Sequence, residues 1–347
     1  GSGSYHVATV DTGLDDPGEF PVNLTPGGDF GYLKKDYTWS TPWGGPSFEY
    51  GKTHGHNIVA ADYLYVADDD NTQAPGGTFD STKLHCTSCH DPHGKFRRLV
   101  GDVIAPTGLP IANSGSYSNS DQPTATEAVG TYRLLAGIGF DPGSGPAFDE
   151  DPFAAVVTSS YNRAEGTTQT RVAYGKGIAD WCAQCHEGMH TNAAPFLVHP
   201  VDQNLGSTIS GVYDAYRGSG NMTGLNSDAY LSLVPFAEDT LTYAQLATKA
   251  ANDDSNLAGP ASSDDVTCLS CHRAHASGFE YAVRWNPESE LLTEGGYWPG
   301  NNNGASASYH RGRTQEEMKQ AYYDRDPIAA GFATYQRSLC NKCHAKD

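Results

Sequence analysis

All eight cysteines of this 347-residue chain lie in C-x-x-C pairs, and a histidine directly follows each pair. The four motifs read CTSCH, CAQCH, CLSCH and CNKCH. C-x-x-C-H is the attachment pattern of c-type haem, in which two thiols bond the porphyrin and the histidine binds its iron. The predicted attachment residues are Cys86, Cys89, Cys182, Cys185, Cys268, Cys271, Cys340 and Cys343, and the predicted proximal ligands are His90, His186, His272 and His344.

Zinc sites and disulfides are the alternative uses of such cysteine pairs. Four C-x-x-C pairs could form two Cys₄ zinc sites, but neither zinc nor a disulfide requires a histidine directly after each pair. On one helical turn, cysteines at i and i+3 and a histidine at i+4 share a face, which suits one porphyrin edge and its iron. We therefore predict four covalently bound haem c groups.

Nine of the 13 histidines remain after the proximal four are assigned, whereas the chain has only three methionines. This surplus predicts histidine at the sixth position of every iron, and histidine gives a lower reduction potential than methionine. With all four motifs complete, no open iron site is expected, so we predict that the protein is not an enzyme. The predicted distal ligands are His56, His93, His199 and His275, with His190 as a further candidate.

Three of these candidates, His93, His190 and His275, closely follow a motif. A chain of three or four residues cannot pass from the proximal face of a haem to its other face, so each should reach a neighbouring haem. His56 lies upstream of the first motif, and the proline after His199 biases that residue towards extended backbone. His85 adjoins Cys86 and is expected to be too constrained to bind iron.

Hydrophobic residues form only 38% of the chain, and glycine and proline together number 59 (39 plus 20). This composition predicts a mostly irregular, loop-rich fold with short helices and few strands, whose core is formed by the four haems. We expect a single unit, residues 1–347, with an extended arm over 1–50 and irregular lobes over 100–175 and 203–262. Capping-box patterns predict helices over 242–251 and 314–325.

The formal charge of −19 disfavours nucleic acid and anionic lipid as partners, and no apolar run is long enough to span a membrane. Covalent haem attachment occurs outside the cytoplasm, so we expect an exported protein. The N-terminus lacks the pattern of a signal peptide, which we expect to have been removed already. Calcium is a weaker expectation at the acidic stretches 68–71, 149–151 and 253–254, since none has EF-hand spacing.

Several segments together resemble the tetrahaem cytochromes of the OmcE type. These are GHNIVAADY (55–63), LHCTSCHDPHGKFRR (84–98), WCAQCHEGMH (181–190), LVHPVDQ (197–203), VTCLSCHRAHASG (266–278), RWN (284–286) and LCNKCHAKD (339–347). The resemblance covers the haem-bearing blocks in chain order and leaves out the two lobes. It implies a secreted cytochrome, extracellular or on the cell surface, that polymerises head to tail into a filament.

The resemblance further implies bis-histidine haems in a continuous stack and an axial histidine donated between neighbouring subunits. The candidate donors are His56 and His93, with His6 as a third. Electrons would enter from redox partner cytochromes and leave for extracellular metal oxides or other acceptors. The alternatives are a soluble periplasmic or conduit-associated tetrahaem electron carrier and a multihaem reductase.

Overall fold

The computed structural model of the protein describes residues 7–9, 21, 25–41, 44–91, 98–100, 103–105, 109–110, 135–143, 147–156, 169–190, 199–329 and 331–346. Loops and turns make up most of these ranges, as the glycine and proline content predicts. Within them, none of the helices combines the length and apolarity needed to cross a bilayer.

The α-helices of the described part are short, and four of them include residues of the haem-attachment motifs. They are α1 (Cys86–Cys89), α2 (Ile178–His190), α3 (Gly206–Ala215), α4 (Tyr243–Lys249), α5 (Cys268–Cys271), α6 (Ala307–His310), α7 (Gln315–Ala321) and α8 (Asn341–His344). Single 3₁₀ turns occur at Phe30–Lys34, Gly51–Thr53, Ala61–Tyr63, Ser81–Lys83, Asn226–Asp228 and Glu280–Ala282.

Within the same described ranges, the strands are equally short and form three small sheets. They are β1 (Tyr37–Ser40), β2 (Pro46–Glu49), β3 (Arg98–Val100), β4 (Val103–Ala105), β5 (Leu109–Pro110), β6 (Ala155–Val156), β7 (Ala173–Gly175), β8 (Gln203–Asn204), β9 (Ala237–Glu238) and β10 (Asp265–Val266). β1 and β2 form an antiparallel hairpin, β3 lies between β4 and β5, and the third sheet has the order β6-β7-β9-β10-β8. Strands of this length orient loops rather than form a continuous barrel or sandwich.

A buried aromatic cluster provides the main protein core of the C-terminal half. The rings of Trp298 and Tyr322 stack with their centroids 4.0 Å apart, and Phe279 packs against Tyr322 at 4.9 Å. The indole nitrogen of Trp298 donates to the carbonyl oxygen of Arg325 at 2.7 Å, so its polar atom is satisfied although the side chain is buried.

The N-terminal segment packs against this C-terminal half. The hydroxyl of Tyr323 donates to the carbonyl oxygen of Thr25 at 2.6 Å, and both residues are buried. Phe30 and Tyr32, in the first 3₁₀ turn, are buried as well. The described part of residues 1–50 is therefore folded against the body of the chain, while the predicted unit and lobe boundaries stay a prediction.

Both helices predicted from capping boxes are present, but only one has the box. In α7, Thr314 Oγ1 accepts from Glu317 N–H at 3.1 Å, and Glu317 Oε2 accepts from Thr314 N–H at 2.9 Å. In α4 the predicted box is wrong, because Gln245 Oε1 accepts from the hydroxyl of Thr240 at 2.5 Å instead. Helix α7 also ends earlier than predicted, since Tyr323 has φ of 60°, a left-handed conformation that terminates it.

Candidate haem-binding site

Each C-x-x-C-H motif is placed by a short helical turn. The backbone N–H groups of His90, His272 and His344 donate to the carbonyl oxygen of the first cysteine of their motif, at 3.0, 2.9 and 3.1 Å. His90 and His272 then leave their helices with extended backbone. The two thiols and the imidazole are expected to share one face of the turn. Because the histidine is the last residue of the turn and has extended backbone, its ring can rotate towards the metal.

Serine side chains start two of these turns. In α1 the hydroxyl oxygen of Ser88 accepts from the N–H of His85 at 3.0 Å, and in α5 that of Ser270 accepts from Thr267 N–H at 3.1 Å. Such bonds satisfy backbone donors that a helix N-terminus leaves unpaired. The residue inside the C-x-x-C pair thus has a local structural role that the spacing alone did not indicate.

Helix α2 carries the second motif and begins at a carboxylate. Asp202 Oδ2 accepts from the N–H groups of Ala179 and Asp180 at 2.7 and 3.1 Å. The backbone departs from helical geometry at His186, which has φ of −122°. Helix α2 is therefore kinked at the proximal histidine of this motif.

Consecutive motifs are neighbours in space, and none of the eight cysteines is paired in a disulfide. Cys182 and Cys268 are hydrogen-bonded through their thiols, which raises the pKa of Cys182 and lowers that of Cys268. Burial raises the pKa of Cys89 to about 12, and nearby Cys185 adds to the shift. These contacts between thiols place the second motif beside both the first and the third.

The fourth motif lies beside the third. Burial raises the pKa of Cys271 to about 12, and the thiols of the fourth motif contribute to that shift as neighbours. The motifs therefore follow one another in space in the order 1-2-3-4. Among the described residues, the groupings with the spacing of metal ligands contain no cysteine, so the zinc alternative gains no support.

Among the described histidines, three pairs of rings face each other across the motifs. The ring centroids are 5.9 Å apart for His56 and His186, 6.4 Å for His90 and His275, and 6.5 Å for His199 and His344. With a metal–imidazole bond of about 2 Å on each side and about 1 Å from ring centre to nitrogen, two imidazoles on one metal stand roughly 6 Å apart. The spacing of the three pairs fits a haem iron between the rings.

Backbone carbonyl groups orient several of these rings. The Nδ1–H groups of His56, His186 and His272 donate to the carbonyl oxygens of Ala274, Pro75 and Tyr281, at 2.7, 2.9 and 2.7 Å. A bond of this kind selects the tautomer that leaves Nε2 for the metal and makes the imidazole a stronger ligand. The chain thus contains preoriented ligands as well as the attachment cysteines.

The predicted distal ligands have different positions in the structure. His56, His199 and His275 each face a proximal histidine, whereas His93 and His6 lie outside the described residues. His190 Nε2 is 3.1 Å from Asp180 Oδ1, so this ring faces a carboxylate. Within the described ranges, none of the histidine rings faces His272 at the spacing of the other three pairs.

Arg284 is a site residue that motif spacing did not reveal. Its buried guanidinium donates to the carbonyl oxygens of Leu269 and His272, at 2.8 and 3.2 Å. It therefore ties the third motif together at the proximal histidine. The sequence signal is a charged residue within the otherwise apolar stretch AVRW, which suggests a buried cation with fixed partners.

In the part of the chain that the structure describes, two acidic clusters have the spacing of metal ligands. At 68–70, Lys52 Nζ contacts Asp69 Oδ1 at 2.6 Å and Asp70 Oδ2 at 2.7 Å, so a lysine supplies positive charge there. The other, missed by sequence reasoning, joins Asp180, His190 and Asp202. Calcium at 68–71, 149–151 or 253–254 stays a prediction.

Comparison with known proteins identifies strong relatives, although no family model matches the chain. The chain is 50% identical to the C-type cytochrome OmcS of Geobacter sulfurreducens over an alignment of 357 residues, gaps included. The alignment covers 100% of this chain and 81% of the relative. Two solved structures, a cryo-EM structure of OmcS nanowires and an Outer Membrane Cytochrome S filament from the same organism, each match with a TM-score of 0.87 at 50% identity. Each match covers 99% of this chain and 85% of the solved one. These matches agree with the expected class of nanowire cytochromes and do not confirm the OmcE type.

Proposed function

Since the chain belongs to the family of the c-type cytochrome OmcS, we propose that it carries electrons outside the cell through covalently bound haems, as the subunit of a cytochrome filament. The observation that carries this proposal is the set of three facing histidine pairs beside motifs that follow one another in space. It supports bis-histidine haems in a continuous row, one on each of the four motifs.

The bound haem supplies reversible one-electron chemistry at its iron. The protein contributes the covalent attachment, two axial imidazoles, and carbonyl groups that fix the orientation of His56, His186 and His272. Ligands held in place in both redox states require little rearrangement when an electron arrives or leaves. With histidine on both faces, an iron has no position left for a substrate, so we propose electron transfer and no enzymatic activity.

Filament formation is supported by the OmcS relatives, whose solved structures are filaments. A head-to-tail contact does not close on itself and therefore extends into a polymer. We propose that the haem on His272 receives its sixth ligand from a neighbouring copy. His56 is disfavoured as that donor because it faces His186 of its own chain. His93 and His6 stay candidates, and both lie outside the described residues.

The same proposal includes where electrons enter the filament and where they leave it. Electrons would enter from redox partner cytochromes and leave for extracellular metal oxides or other acceptors, with the protein secreted or at the cell surface. The net charge of −19 disfavours nucleic acid as a partner. A row of haems conducts by hopping, so the acceptor needs only to approach one exposed haem edge.

Electron microscopy of the purified native protein, combined with haem spectroscopy, tests the proposal. We expect filaments, about one haem per motif, low-spin iron throughout, and no binding of carbon monoxide to the reduced protein. Monodisperse particles without polymer would favour the soluble carrier instead. Substantial high-spin iron or ready binding of carbon monoxide would favour the reductase.

A further inference from the structure

The two ends of helix α2 carry side chains that meet beside the second haem motif. Asp180 lies in the first turn of the helix and His190 is its last residue, yet His190 Nε2 is 3.1 Å from Asp180 Oδ1. Residues ten positions apart in a straight α-helix are separated by about 15 Å along its axis, so this contact depends on the kink at His186. Asp202, from the segment after His199, joins them, and the three ligand atoms lie within 4.8 Å of one another. The kink therefore assembles two carboxylates and one imidazole.

Two polar atoms of this group are buried and make no hydrogen bond within the described part of the chain. They are His190 Nε2 and Asp202 Oδ1. The imidazole thus approaches Asp180 Oδ1 at 3.1 Å without the geometry of a hydrogen bond. At metal–ligand bonds of about 2.1 Å, neighbouring ligand atoms on one ion stand about 3 to 3.4 Å apart and do not bond to each other. A metal ion therefore supplies the partner that these atoms lack.

The carboxylate of Asp202 is held in a fixed orientation by the start of α2. Its Oδ2 accepts from the N–H groups of Ala179 and Asp180 at 2.7 and 3.1 Å. Ligating carboxylates in metal sites are commonly held by hydrogen bonds of this kind. The arrangement leaves Oδ1 of the same carboxylate as the oxygen for a cation.

Carboxyl groups in and around this cluster disfavour one another's negative charge. Burial raises the pKa of Asp202 and Asp180 adds to the shift, while two backbone N–H groups and the imidazole of His190 lower it. Burial also raises the pKa of Asp265 to about 6, with Asp202 contributing next. It raises the pKa of Glu150 as well, with Asp180 contributing next. A bound cation relieves this repulsion, because it favours the charged form of each carboxylate.

The acidic stretch at 68–70 differs in both respects. Lys52 Nζ contacts Asp69 Oδ1 at 2.6 Å and Asp70 Oδ2 at 2.7 Å, so a lysine supplies the positive charge. Asp68 Oδ1 accepts from the N–H of Asp70 at 2.9 Å, and the stretch has no imidazole. It therefore provides a matched control in which the protein itself satisfies the carboxylates.

We propose that Asp180, His190 and Asp202 bind a divalent transition-metal cation, with zinc as the best match. An imidazole nitrogen together with carboxylate oxygens suits zinc and its first-row neighbours, whereas calcium and magnesium prefer sites made of oxygen ligands alone. Three protein ligands leave a further position for water. The site is separate from the haem irons and uses none of the cysteines, since the imidazole of His190 faces a carboxylate and not a proximal histidine.

A cation at this position would join both ends of α2 to the segment that carries His199. Helix α2 contains the second attachment motif, and His199 faces His344 of the fourth. The cation would therefore fix the second motif relative to a ligand of the fourth. That structural consequence rests on the proposed haem loading, whereas metal binding by the three side chains does not.

The test measures zinc binding by the haem-loaded protein and by four variants. Three of them, His190→Ala, Asp202→Asn and Asp180→Asn, change the site, and Asp69→Asn is the control. Each protein is titrated with zinc chloride, desalted, and assayed for zinc relative to haem iron. We expect about one zinc per chain in the wild type and in Asp69→Asn. Each site variant should bind zinc at least about tenfold more weakly, because even the loss of an outer partner costs 10- to 100-fold in metal affinity.

X-ray absorption at the zinc edge identifies the ligands. We expect nitrogen and oxygen neighbours at about 2.0 to 2.2 Å, and sulfur neighbours would overturn the proposal because they place zinc on unreacted thiols. A wild type that retains no zinc, or zinc that excess calcium displaces, overturns it as well.

Equal zinc affinity in His190→Ala and the wild type also overturns the proposal. If Asp202→Asn does not accumulate, since Asp202 also caps α2, the exposed Asp180→Asn decides in its place. Haem content and filaments are recorded in the same samples. Zinc bound at the expected ratio by a protein that forms no filaments would support the metal site and count only against the proposed function.

Discussion

Glu49 and Arg313 form a buried ion pair that joins β2 to the segment preceding α7, and their side chains are only 2% and 0% exposed. His54 Nε2 lies 2.8 Å from Oε1 of the same carboxylate, and Arg311 Nε donates to its Oε2 at 3.0 Å. One carboxylate therefore holds two guanidinium groups and one imidazole. It ties the described N-terminal segment to the C-terminal half of the chain.

We predict that Glu49→Gln destabilises the protein by about 3 to 5 kcal/mol, because it leaves the buried Arg313 charge without its partner. Glu290→Gln is the matched control, since Glu290 pairs with Arg337 at 3.1 Å on the surface. That change should cost less than about 1 kcal/mol. Denaturant unfolding of the haem-loaded protein measures both, and equal effects would contradict the role given to the buried pair.

The two N-cap threonines provide a second test. Thr314→Ala should destabilise the protein by about 1 kcal/mol, because the Thr314 hydroxyl accepts from Glu317 N–H at the start of α7. Thr242→Ala should cost much less, since the Thr242 side chain makes no capping hydrogen bond in α4. Thermal unfolding of both variants measures the difference. Similar losses would show that hydroxyl capping does not distinguish the two helices.

Asp265 should make stability depend on pH. Burial, with Asp202 and Asp239 nearby, raises the pKa of its carboxyl to about 6, and its Oδ1 accepts no hydrogen bond within the described part. A raised folded-state pKa means that the protonated form favours folding, so stability falls as pH rises from about 4 to 6. Asp265→Asn should therefore be more stable than wild type by about 1 to 2 kcal/mol at pH 7.

The advantage of Asp265→Asn should disappear near pH 4, where the wild-type carboxyl is protonated. Asp264→Asn is the neighbouring control, because the Asp264 carboxylate accepts from the N–H groups of Asp239 and Ala261 at 3.0 and 2.8 Å. Its loss should destabilise the protein by about 1 kcal/mol at pH 7. A stability gain for Asp265→Asn that is unchanged at pH 4 would show that titration is not its cause.

The facing histidines predict a spectroscopic difference between two candidate ligands. His199→Ala should produce one high-spin iron per chain that binds carbon monoxide after reduction, because it removes the ring opposite His344. His190→Ala should leave all irons low-spin, since His190 faces Asp180. Absorption and electron paramagnetic resonance spectra of both variants decide. The reverse pattern would assign the ligand role to His190.

Local sequence was sufficient to predict the features that depend on a few consecutive residues. The C-x-x-C-H spacing predicted the attachment turns because two thiols and an imidazole at i, i+3 and i+4 share one helical face. Thr314 and Glu317 predicted the start of α7 in the same way. Low hydrophobic content with many glycines and prolines predicted short elements, because such a chain forms few long periodic segments.

Only the tertiary structure decided which distant residues meet. His56 and His186 lie 130 positions apart in the numbering, and their approach depends on Pro75 and Ala274 supplying carbonyl groups from two further segments. The same is true of Glu49 and Arg313, whose separation is 264 residues. His85 shows the limit most directly. Its Nδ1–H donates to the carbonyl oxygen of Val59, 26 positions earlier, a partner that its place next to Cys86 did not indicate. Side-chain direction depends on partners brought together by folding, and residue spacing in the sequence does not contain that information.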